Sequence, residues 1–208
     1  LSRAHTFRFR TVVNKDSLQV APTGVIPAGG ITLNAAALLQ GQGGVINPSN
    51  VITLNGQSTA SFVDDSSIAG LVFNNNGGGN VARGVTTFTA GLGSDGGGLL
   101  SIGANGIVAT SSNVAATSTV IGRIDFGATA KTVNVDPILV NGVDVAPLQA
   151  ALALQGISGS AGGINKTGLG TLQLNAQDTF TGPLNVLAGG VSFGSLGNTG
   201  LSANNAAG

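Results

Sequence analysis

The 208-residue chain has no cysteine, methionine, tryptophan or tyrosine, and all eight of its acidic residues are aspartate. Without cysteine there is no disulfide framework, no thiolate nucleophile and no thiolate-bound metal. Stability has to come from packing and backbone hydrogen bonds. Aspartate favours turns where glutamate favours helices, so the helical share is expected to be small. Charged residues make up only 8% of the chain, eight basic against eight acidic, for a formal net charge of zero. That balance removes the electrostatic case for nucleic acid or an anionic membrane surface as a partner. No run of about 18 apolar residues exists to span a membrane, and no basic-then-apolar leader opens the chain. A sequence beginning at Leu1 is therefore expected to be a processed product or a piece of something longer.

What is present is small and apolar. Hydrophobic residues make up 42% of the chain, mainly Val, Ile, Leu and Ala with 8 Phe, and 35 glycines punctuate them. Turn signals such as Ala28-Gly29-Gly30, Gly43-Gly44 and Gly162-Gly163 separate short runs of strand character. A pattern of two apolar residues two apart, followed by Asn, recurs at Ile31–Asn34, Ile52–Asn55, Leu71–Asn74, Ile138–Asn141 and Leu172–Asn175. The first three copies start 21 and then 19 residues apart, close to the roughly 20-residue lower end of solenoid repeats. The apolar pair shares one face of a strand, and the Asn is expected to turn the corner in a left-handed conformation and to stack into a ladder. The fold class expected is all-β, a right-handed parallel β-helix (β-solenoid) of short stacked strands, with a β-sandwich as the globular competitor. At roughly 20 residues and about 4.8 Å per coil, the chain would form on the order of ten coils and a rod of about 50 Å. Val145–Gln155 has the Ala and Leu content of a short helix, but Leu152 and Leu154 alternate, and a strand is expected over its second half.

The most specific segment runs from Gly162-Gly163-Ile164-Asn165-Lys166-Thr167-Gly168-Leu169-Gly170-Thr171-Leu172-Gln173-Leu174-Asn175 through Asp178-Thr179-Phe180-Thr181-Gly182 to Val186–Phe193. Gly168 and Gly170 bracket Leu169 and permit a tight corner, and Leu172 and Leu174 share the inner face of a strand, the one nearer the corner expected to be partly exposed. Lys166 is expected at the surface, with capping of a coil-edge carbonyl as the alternative. The segment resembles the autotransporter-associated β-strand repeat, also called the passenger-associated transport repeat. It departs from that pattern at Asp178, where Asn is usual, at Phe180, where Tyr is frequent, and at Pro183-Leu184. The resemblance implies an exported β-helical passenger displayed at the cell surface, outside a Gram-negative-type bacterium.

Candidate chemical sites are few. His5 is the sole histidine, set in an Arg-rich strand far in sequence from most acids, a poor start for a Ser-His-Asp arrangement. Asp64-Asp65 is the sole acidic pair, and neighbours on a strand face opposite ways, which does not suit two-carboxylate glycoside hydrolysis. Gly91–Gly96 matches part of a calcium-binding repeat without an adjacent copy to complete it, and Asn165-Lys166-Thr167 is a lone glycosylation triplet. No catalytic residue, metal or cofactor is expected. The chain divides into residues 1–20, an N-terminal strand with a possible inter-subunit contact, and 21–208, the solenoid, with 156–193 its repeat-like segment. In the first part Phe7 and Phe9 share one face and Arg8 and Arg10 the other, and strand addition to a neighbouring subunit would place the phenylalanines in its groove. The function expected is a non-catalytic component of an extracellular fibre, stalk or surface layer that self-associates or packs with the rest of a larger precursor. An adhesin binding a host or polysaccharide ligand, and a β-helical polysaccharide-degrading enzyme, are the alternatives.

Overall fold

The computed structural model describes residues 10–76, 87–90, 98–175 and 179–194. Among them there is no helix, and 18 strands join in one sheet. The strands are β1 (Thr11–Asn14), β2 (Ser17–Val20), β3 (Ile31–Asn34), β4 (Ala37–Gln40), β5 (Val51–Asn55), β6 (Thr59–Phe62), β7 (Ser66–Asn75), β8 (Thr87–Ala90) and β9 (Leu99–Ser111). They continue with β10 (Ser118–Asp125), β11 (Lys131–Val140), β12 (Val143–Asp144), β13 (Ala150–Gly159), β14 (Ile164–Thr167), β15 (Thr171–Leu174), β16 (Thr179–Phe180), β17 (Leu184–Val186) and β18 (Gly190–Phe193). All pairings are parallel except β11 with β12, so each strand is reached by a full circuit of the chain. The architecture is the expected β-solenoid.

The registers define three faces. Face A stacks β1, β3, β5, the second half of β7, the second half of β9, β11, β14 and β17. Face B stacks β2, β4, β6, β8, and the first halves of β10 and β13, then β15 and β18. Face C begins as the Ile26–Ile46 bridge and continues through the first halves of β7 and β9, the second halves of β10 and β13, and β16. Among the described residues face A counts eight coils against the ten expected of the whole chain, and two of its circuits exceed 30 residues. Hydrogen-bonded side chains on successive coils are 20, 21 and 19 residues apart in the first turns, but 36 apart from Asn74 to Thr110 and 33 from Asn134 to Thr167.

Strand alternation fills the interior with one column per inward position. Ile31, Ile52, Leu71, Ile107 and Val133 lie on one another along face A, all fully or almost fully buried. Val120, Leu154 and Leu174 do the same on face B, and Leu100, Ile124 and Ile157 on face C. Burying each such side chain contributes about 1.5–3 kcal/mol, and β-branched residues suit the narrow pleated wall. Leu172 and Leu174 are both buried, at 0% and 1% exposure. The expectation that one would be partly exposed is corrected: the next strand, β18, covers both through Val191 and Phe193.

The Asn ladder exists on face A. The Nδ2 of Asn34 donates to the Oδ1 of Asn14 at 2.7 Å, that of Asn55 to Asn34 at 2.6 Å, and that of Asn74 to Asn55 at 2.7 Å. Its members stay in extended strands, however. The left-handed corner is taken by the following residue, Lys15, Ala35 and Gly56, with φ of 59°, 47° and 63°, which frees each Asn side chain to point along the stack. Two of the five sequence copies are not rungs. Leu172–Asn175 lies on face B, and Ile138–Asn141 runs into a hairpin in which Asn141 and Gly142 both have positive φ, 51° and 78°, as a two-residue type I′ turn requires. Truncating the central rung, Asn55→Ala, removes two amide bonds and is expected to cost about 1–2 kcal/mol. Asn14→Ala, at the exposed end, removes one and should cost less than half as much in the same urea titration.

Candidate functional site

Lys166 is the most unusual side chain of the solenoid. β14 places it on the inner side of face A, directly over Val133 and under Val186, and it is fully buried. The surface expectation for this residue is corrected. Its stem packs in an apolar column, and its Nζ bends to the A–B corner, donating to the carbonyls of Thr167 (2.7 Å), Gly168 (2.7 Å) and Ala188 (3.0 Å). An ammonium has three protons, and here all three are used. Loss of hydration holds the Lys166 pKa below its ordinary value, while the nearby Asp136 carboxylate partly opposes that shift. The corner admits this because Gly168 turns with φ of 74°, and a Cβ there would lie 2.4 Å from the Val135 carbonyl oxygen. Gly168, Lys166 and the corner of the next coil thus form one joint.

The acidic pair is spent in the same manner. Asp64 and Asp65 occupy the B–C corner between β6 and β7. Asp64 accepts the Asp65 N–H at 2.8 Å on Oδ1 and the Gly43 N–H at 3.1 Å on Oδ2, one coil below. These two backbone bonds lower its pKa. Asp65 accepts the Leu99 N–H at 2.7 Å, one coil above. Two neighbouring carboxylates therefore reach opposite ways along the axis and clamp three successive coils. At the C–A corners Asp125 accepts N–H groups of Gly127 (2.7 Å) and Ser160 (2.9 Å), and buried Asn50 bridges the Gly30 N–H (2.8 Å) and the Pro27 carbonyl (3.0 Å). Sequence reasoning missed Asp125 and Asn50. The available signal was a polar residue beside a turn glycine or proline, one coil from another such turn.

Asn165 of the glycosylation triplet is a rung of its own, its Oδ1 accepting the Asn185 Nδ2 at 2.8 Å. Of the proposed assembly residues, Phe7, Arg8 and Phe9 lie outside the described residues, as do His5 and Gly91–Gly96. Arg10 is exposed immediately before β1. Among the described residues β1 pairs only with β3, and none of them pairs with its other edge. Beside Asp65, a groove of about 400 Å³ is lined by Ile46, Pro48, Ser66, Ser67, Leu99 and Ser101 among others.

Fold and joints together define a class: a three-faced parallel β-solenoid whose few charged and amide side chains fasten coil to coil. Compared with known proteins, the chain matches no family model, no curated protein and no solved structure.

Proposed function

We propose that this chain is a non-catalytic structural segment of an extracellular bacterial fibre, stalk or surface layer. The observation that carries the reading is the use made of its polar groups. Lys166, Asp64, Asp65, Asp125 and the Asn ladder are committed to holding backbone or one another across coils, which stiffens a rod and occupies the groups that chemistry would need. The likeness of residues 162–193 to a passenger repeat supports export and surface display. The edge of β1 that has no partner among the described residues, together with the alternating sequence Phe7-Arg8-Phe9-Arg10 before it, supports strand addition between subunits.

The test is electron microscopy and sedimentation of the purified chain beside a variant lacking residues 1–10, which keeps β1. Filaments or sheets with a regular repeat are the expected result, lost on truncation while the β-sheet circular dichroism persists. Dispersed particles at every concentration would remove the structural reading, and filaments unchanged by truncation would remove the strand-addition part alone. A second reading, an adhesin for a polysaccharide, rests on the groove beside Asp65, where serine hydroxyls border an apolar floor of the size small ligands occupy. Saturable binding of an oligosaccharide, abolished by Ser101→Phe, would favour it.

A further inference from the structure

The exposed apolar side chains are not scattered. Among the described residues eight of the fourteen large ones lie in the connections from face A to face B in the last four coils, Leu139 and Val140 of the β11–β12 hairpin among them. Val114 sits in the connection from β9 to β10, and the β11–β12 hairpin with its return presents Val143, Val145 and Leu148, the last 93% exposed. Leu169 follows on the corner between β14 and β15, and Leu187 on that between β17 and β18. These corners are stacked. A Cβ on Gly170 would meet the Asp136 carbonyl where the hairpin leaves the solenoid, and one on Gly189 would meet the Gly170 carbonyl. Thr171 further ties the hairpin's return to the next coil through the Pro147 carbonyl at 3.2 Å. The result is a continuous aliphatic ridge parallel to the axis. The same corner in the first three coils carries Lys15 and Asp16, then Ala35, then Gly56 and Gln57.

We infer that this ridge is the contact surface for a second copy of the chain, packed ridge against ridge about a two-fold axis. The inference rests on the self-associating reading above and names its lateral surface. Two properties select the occupant. The first is area: at about 100 Å² of apolar surface per fully exposed aliphatic side chain, the eight residues present on the order of 500 Å². A homodimer interface of standard size, about 800 Å² per partner and about 65% apolar, needs that amount from each copy. The second is charge. A two-fold contact sets each group near its own copy, so charges there repel themselves. Among the described residues at these corners the charged side chains are Asp136, Asp144 and the buried Lys166, and the half-buried Asp136 accepts the Asn134 Nδ2 on its Oδ1 at 2.9 Å. Asp144 turns its Oδ1 back onto the Ala146 N–H at 3.1 Å.

The chain has no native cysteine, so single-cysteine variants report the contact directly. Leu148→Cys is expected to give a disulfide-linked dimer under mild oxidation. Leu39→Cys on face B, 39% exposed, should not, whereas Val145→Cys on the ridge, 46% exposed, should. The variant lacking residues 1–10, which is not expected to elongate, should sediment as a dimer at micromolar concentration, and the same variant carrying V143K/L148K as a monomer with an unchanged β-sheet spectrum. A monomer of the truncated chain, or a V143K/L148K form that sediments as its parent does while Leu148→Cys fails to cross-link, overturns the inference. The two readings fail separately: filaments from a chain whose ridge does not pair leave the fibre standing, and ridge dimers that never elongate remove the fibre and keep the ridge.

Discussion

Replacing Lys166 by methionine is expected to destabilise the last coils by about 3 kcal/mol, although methionine fills the same column. Three carbonyls lose their donor at once, on Thr167, Gly168 and Ala188. Charged hydrogen bonds contribute about 1.5–3 kcal/mol each, and the relief of desolvating an ammonium offsets part of the loss. Because coils stabilise one another through nearest neighbours, the loss should show as an early transition of the C-terminal coils in differential scanning calorimetry, with the first coils melting unchanged. The pH dependence separates this role from simple packing. The folded pKa of Lys166 lies below its ordinary value, so between the two values the unfolded chain binds more protons and stability rises with pH. Below the folded value both states are protonated and the desolvation cost is fully present. Wild-type stability should therefore climb in the alkaline range before general denaturation, and the methionine variant should lack that climb. A wild-type curve flat across that range would show that Lys166 is not desolvated as its burial implies.

Leu172→Asp and Leu174→Asp should each unfold the solenoid from coil seven onward, and to a similar degree. Both side chains are buried, between Leu152 and Val191 in one column and Leu154 and Phe193 in the other. A carboxylate in either column has no partner there, and such substitutions fall at the severe end of single changes, above about 4 kcal/mol. Limited proteolysis should cut both variants within the C-terminal coils and spare Ile31–Phe62. Retention of native protease resistance by either one would mean that its side chain does not face the interior.

Much of this architecture is legible in the apolar spacing. Ile31, Ile52 and Leu71 share a column, and the strand expected over the second half of Val145–Gln155 is the start of β13. The pattern misled at Ile138–Asn141 because an Asn-Gly hairpin and a solenoid rung both need two apolar residues and then an Asn. Only the glycine that follows, Gly142, distinguishes them, and Gly56 after a true rung shows how little that helps. Lys166 was misjudged for a different reason. A lysine between Asn and Thr reads as solvated unless its strand register is known, since one position decides whether it faces water or the column above Val133. The clamps at Asp64 and Asp65 were illegible because their partners, Gly43 and Leu99, belong to other coils.

The direction of the bonds between coils has a mechanical meaning. Strands run across the axis, so the backbone hydrogen bonds and the Asn ladder run along it. A pull applied to the two ends loads these bonds one coil at a time, as in a zipper, rather than together, as in shear. Each released coil pays out its own length of chain, about 3.4 Å per residue. A coil of 20 residues yields about 70 Å, whereas the 36-residue circuit from Asn74 to Thr110 yields nearly twice that. Under load such a rod would lengthen in unequal steps, with the hydrogen-bonded joints at Lys166 and Asp64-Asp65 adding resistance at the coils they tie together.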